Sequence, residues 1–151
     1  MRKNQKKNQK ISVVKKAAPL IVSLTHQELR SPLAVPAIMK IKRSTYPSMR
    51  TVKKVVGISK ALTETMKASQ DSFVGLVKAY AKLDDKGEVI ESEDGSFDVP
   101  EEKQAEWRAS CATFMTSSTT LELPQGKLTL DEVAQVGLTP EDLEAVPFLV
   151  E

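Results

Sequence analysis

Ten positions between residues 52 and 83 recur at spacings that alternate three and four without a slip. They are Val52, Val55, Ser59, Leu62, Met66, Ser69, Phe73, Leu76, Tyr80 and Leu83. Such a series predicts one long helix with a heptad seam, running from about Ser48 to Leu83. At 1.5 Å per residue it is about 50 Å long. A chain of 151 residues folds into a body only roughly 30–35 Å across. The helix must therefore project, or the whole body must be elongated.

The residues after the helix predict its cover. Asp84-Asp85-Lys86-Gly87 ends it, with Gly87 near the position after the cap. Residues 88–99 alternate around Val89 and Phe97 across Glu93-Asp94-Gly95, the pattern of a β-hairpin. Pro100-Glu101-Glu102 opens a second helix to about Ser117, with a stripe of Trp107, Cys111 and Phe114. This shorter helix is antiparallel to the first and covers its seam from Leu83 back to Met66. The earlier part, Val52 to Leu62, needs a different cover.

The flanking segments offer one. Residues 17–24 form a short apolar run, a strand or a docked extended piece. Thr25 and Glu28 make a capping box, with Leu24 and Leu29 placed for a hydrophobic staple. A helix is predicted from His26 to about Arg43, kinked or split by Pro32 and Pro36. Its expected buried face is Leu29, Leu33, Ile38 and Ile41, and Tyr46-Pro47 breaks the chain. Residues 119–123 alternate as a strand, Pro124-Gln125-Gly126 turns, and residues 128–130 pair back or lead onward. Thr129 or Asp131 caps a one-turn helix over 131–136 that Gly137 stops. Thr139-Pro140-Glu141-Asp142 opens a last short helix over 140–146. The apolar end, Val146 to Val150, is expected to dock on its own body or on a neighbour. The fold class is mainly α with a small β component (α+β). A basic, flexible arm over 1–16 precedes a single elongated helical-hairpin domain over 17–151.

Charge divides this rod. Residues 1–60 hold 15 Lys and Arg against one acid, Glu28, whereas residues 61–151 hold 7 against 19. The formal net charge of +2 thus averages a strongly basic end with a strongly acidic one. Arg2, Lys3, Lys6, Lys7, Lys10, Lys15 and Lys16 belong to the arm. Lys40, Lys42, Arg43, Arg50, Lys53 and Lys54 group around the Tyr46-Pro47 break. All thirteen are candidate contacts to an acidic protein surface or to a phosphate backbone. Aromatic residues hardly interleave with them, so stacking on single-stranded bases is unsupported.

Several chemistries find no support. Cys111 is the one cysteine and His26 the one histidine, too few for the usual zinc sets or for a disulfide within the chain. The acids around Glu93-Asp94-Gly95 lack the ligand order of a calcium loop, and read as a solvated tip. His26 is expected to be an exposed first residue of its helix, and Cys111 an inert thiol in the seam. Ser59 and Ser69 are expected where helices approach closely. No phosphate-cradling glycine loop, membrane span or signal peptide is expected, the apolar stretch after Val13 being interrupted by Lys15, Lys16 and Pro19. No catalytic residue, metal, cofactor or small-molecule substrate is assigned.

The order of elements over about 24–151 resembles a family of small, functionally uncharacterised tailed-bacteriophage proteins. In that family a helix–hairpin–helix carries D-x-x-G, then E-D-G, then P-x-E-K, before a short strand, a capped acidic helix and an apolar finish. The matching positions are Leu83, Gly87, Gly95, Pro100, Lys103, Leu121 and Leu143. The resemblance implies a non-enzymatic structural or assembly role in a virion head, neck or tail, located in the virion or the host cytoplasm. Its partners would be other phage structural proteins or copies of itself. DNA or RNA bound by the basic arm is the alternative. The seam that would hold such a fold together is Val52, Val55, Leu62, Met66, Phe73, Leu76 and Tyr80, with Trp107 and Phe114 opposite.

Overall fold

A computed structural model describes residues 18–151, so the arm over 1–16 lies outside the described residues. The fold is mainly α with a small two-stranded antiparallel sheet. Strand β1 (Leu20–Thr25) leads into the single turn α1 (His26–Leu29), then α2 (Ala34–Arg43) and the long α3 (Met49–Tyr80). After the hairpin tip come a 3-10 turn, Glu101–Lys103, and α4 (Gln104–Thr116). Strand β2 (Ser118–Leu123) returns to pair with β1, with Leu20 opposite Leu123 and Leu24 opposite Thr119. A short helix α5 (Pro140–Ala145) precedes the C-terminal segment.

The core gathers at one end. Leu24, Leu29, Ile41, Leu121, Leu123, Leu128, Val146 and Leu149 are buried there with Val55, Ile58 and Leu62 of α3. The helix α3 lies against β2 and α2, and α2 against α5. The apolar end docks on its own body. The Leu128 N–H donates to the Leu149 carbonyl at 2.8 Å, and the Glu151 N–H to the Leu128 carbonyl at 2.9 Å. Phe148, Leu149 and Val150 are all buried.

Beyond Leu62 the helix leaves this core and has a different partner. Phe73 and Tyr80 pack on Trp107 at 6.2 and 5.8 Å between ring centroids, and Phe73 on Phe114 at 5.6 Å. Tyr80 also shares a 2.8 Å hydroxyl hydrogen bond with Ser110. The helix α4 thus runs antiparallel along the distal half of α3, yet none of its residues is fully buried. The two halves of α3 are covered by different layers, and the buried stripe changes accordingly. In the proximal half it is Thr51, Val55, Ile58 and Leu62, so Ile58 rather than its neighbour Ser59 faces the core, and Val52 is half-buried. At the changeover Met66 is 39 % exposed, a correction to its place in the seam.

Other expectations also change. Of the two outcomes expected for 26–43 the chain takes the split, breaking at 30–33 around Pro32. Pro36 sits in the first turn of α2, where its missing N–H costs nothing. Leu33 falls in the break and is 55 % exposed; Ala34 and Ala37 take the inward positions. The helix α3 ends at Tyr80, three residues early. Gly87 closes a turn rather than the helix: its N–H donates to the Asp84 carbonyl at φ 79°, where glycine is unstrained. The tip pairs only through isolated bridges, Leu83 with Val89 and Glu91 with Phe97. Residues 131–136 form successive turns instead of a helix, although Thr129 and Glu132 do make reciprocal capping bonds. The final helix stops at Ala145, capped by Thr139 as expected.

Candidate interaction surfaces

The basic end is built by a chain reversal between α2 and α3. Tyr46 anchors it: its hydroxyl donates to the Ile41 carbonyl at 2.6 Å from a buried position, and burial raises its pKa above the usual phenol value. The six cations around this reversal divide into two sets. Lys40 pairs with Asp142 at 2.6 Å, and Lys54 with Glu132 at 2.7 Å while also donating to the Lys127 carbonyl. These two fasten the C-terminal segment to α2 and α3. Lys42, Arg43, Arg50 and Lys53 are exposed and make no ion pair among the described residues. Arg50 and Lys53 stand one turn apart on α3 and line an open groove of about 1080 Å³ with Leu20, Met49, Pro124 and Gly126. Met49 is 67 % exposed. Lys42 and Arg43 lie at the end of α2 and do not line the groove. The seven cations from Arg2 to Lys16 lie outside the described residues.

The acidic tip sits past the other end of α3. Residues 84–98 carry seven acids and one cation, Lys86, all exposed. Two of the carboxylates shape the turns. Asp84 accepts from the Lys86 and Glu88 N–H groups at 2.9 and 3.0 Å. Asp94 accepts from the Ser96 hydroxyl and N–H at 2.6 and 3.0 Å, and those bonds lower its pKa. Ile90 stands 53 % exposed among these charges. Among the described residues no group of three or more His, Cys, Asp or Glu is placed to hold a metal ion.

A third feature joins the two halves of the rod. His26 is buried, not exposed, and its ring stacks on Phe114 at 4.3 Å. Its Nδ1 lies 2.8 Å from the Ser69 hydroxyl. The Arg30 guanidinium covers Phe73 and Phe114 at 5.0 and 5.4 Å and donates to Ser69 and to the Gln70 side chain. Ser69, buried on α3, is the hydrogen-bond partner through which α1 meets that helix. A capping box places His26 at the start of α1 but says nothing of a partner 43 residues away. Cys111 is half-buried, and burial raises its pKa, which keeps it a thiol rather than a nucleophilic thiolate.

Burial, then the nearby charge of Arg30, hold the pKa of His26 below the ordinary 6.5. The unfolded chain then takes up this proton first as pH falls, so stability declines below about pH 6.5. Urea midpoints at pH 7.5 and 5.5 should show that decline in the native chain. In His26→Gln the difference between the two pH values should shrink, because the sole histidine is gone. An undiminished difference would place the titration elsewhere.

No helix among the described residues is long and apolar enough to cross a membrane. No family model matches the chain, and no curated protein or solved structure matches it either.

Proposed function

We propose that the chain is a non-enzymatic structural or assembly protein of a tailed bacteriophage, acting through protein–protein contacts in a multi-copy complex. One observation carries the reading. The exposed acids of the tip and the exposed cations around the α2–α3 reversal stand at opposite ends of a 32-residue helix, about 48 Å apart. The basic end also carries exposed acids, Glu122 and Asp131 beside Arg50, but the acids of the tip stand a helix length from these cations, which suits polar contacts between molecules. The apolar C-terminus and most of the seam do not add to this support, because both are covered within the chain.

Binding of DNA or RNA is the second reading. It is favoured by the first turn of α3, which contains no acid and presents Arg50 beside a helix N-terminus. Light scattering of the full chain over a range of concentrations separates the two. A mass that rises through multiples of the chain mass is expected. A monomer throughout, combined with salt-sensitive retention of duplex DNA, would favour the nucleic-acid reading instead.

A further inference from the structure

We infer that the hairpin tip of one copy docks in the groove beside Arg50 and Lys53 of the next, so that copies associate head to tail. The inference rests on the assembly reading and names its contact surfaces. The groove is lined by apolar Leu20 and Met49, 42 % and 67 % exposed, and by the exposed cations Arg50 and Lys53, which with Lys54 outnumber its one acid, the exposed Glu122. Its volume of about 1080 Å³ slightly exceeds that of pockets enclosing a drug-sized ligand, room enough for several side chains of a loop.

The tip carries the complementary charge. It is a turn pair with two exposed apolar side chains, Ile90 at 53 % and Leu83 at 43 %, and with Glu88 and Glu91 close to Ile90 in sequence. An apolar side chain set against Leu20 and Met49, with carboxylates facing Arg and Lys, gives the pattern of an interface with a dry centre and a charged margin. The chain cannot make this contact with itself, because the groove lies at the first turns of α3 and the tip comes after its last, about 48 Å away. The contact is therefore between copies, uses two different surfaces, and repeats into a ring or a filament.

Charge reversal tests it. The side chains of Arg50, Lys53, Glu88 and Glu91 are exposed, and none is in an ion pair among the described residues, so reversal should leave the thermal midpoint unchanged. One full-length variant carries Arg50→Glu and Lys53→Glu, the other Glu88→Lys and Glu91→Lys. Each alone should self-associate at least about tenfold more weakly than the native chain in low salt. An equimolar mixture should recover association, because the reversed groove then meets the reversed tip and the native groove the native tip. If both variants associate as the native chain does, the interface lies elsewhere; the inference falls while the assembly reading stands. Loss in each variant without recovery in the mixture also overturns it. If the native chain itself stays monomeric, the assembly reading falls too. If groove reversal abolishes DNA retention and leaves self-association intact, the groove is a nucleic-acid surface instead.

Discussion

Leu149→Ala lowers stability by about 3 kcal/mol, within the range of about 2–5 found for buried leucines. Leu149 has no exposed surface, and its backbone is stitched to Leu128. The buried core it belongs to draws on α2, α3, both strands and the C-terminal segment itself. These elements are fastened from several directions, so they collapse poorly into a vacated space and the cavity persists. A chain of this size loses roughly 2–4 °C per kcal/mol, so the thermal midpoint falls by about 10 °C. Leu130→Ala is the matched control, in the same C-terminal region. Leu130 is 57 % exposed, and its truncation changes stability by less than about 0.5 kcal/mol. Equal effects at the two leucines would mean that the C-terminal segment does not dock as described.

Glu132→Gln is the second large effect, and it is tied to pH. Burial alone would raise the pKa of Glu132. Hydrogen bonds from Lys54, Thr129 and Thr51, with the charge of Lys54, outweigh burial and hold the carboxyl at about 2. Lys54 donates to it at 2.7 Å and Thr51 at 3.0 Å. The folded value lies below the ordinary 4.5, so the unfolded chain binds this proton first as pH falls. The stability that Glu132 contributes is complete above about pH 4.5 and is lost as pH falls toward 2. At neutral pH the glutamine variant should be less stable by about 2 kcal/mol, the scale of hydrogen bonds to a charged group. It leaves Lys54 with its side chain only 11 % exposed and no carboxylate. The gap between variant and native chain, tracked by urea unfolding, should close as pH drops from 5 to 3. A gap that stays constant would show that the ionised carboxylate contributes nothing there.

How much of this fold the sequence reveals depends on the range over which each signal acts. The caps at Thr25 and Thr139 are legible because partner and cap stand three residues apart. The helix α3 is legible because its period persists over its whole length. Which side of it is buried is less so, since the 3.6-residue helix drifts against a strict heptad and two different layers cover its halves. That drift exchanges Ser59 for Ile58 and leaves Met66 outside. The pairs Lys40–Asp142 and Lys54–Glu132 join residues 102 and 78 positions apart, and no local pattern announces them. Two of the thirteen basic candidates thus turn out to tie down the C-terminal segment. His26 is the plainest case. Its spacing from Thr25 names its helix position, whereas its burial is decided by Phe114 and Ser69 on two other helices.

Sedimentation velocity of the full chain at low and high ionic strength, at one fixed protein concentration, measures the claim that opposite ends of the rod attract. At low salt the chain should sediment as a multiple of its own mass. Because exposed charges are screened beyond about 8 Å at 0.15 M and about 3 Å at 1 M, it should shift toward the single chain at high salt. A single-chain boundary under both conditions would contradict assembly through the separated charges. An oligomer indifferent to salt would contradict the electrostatic contact while leaving assembly intact.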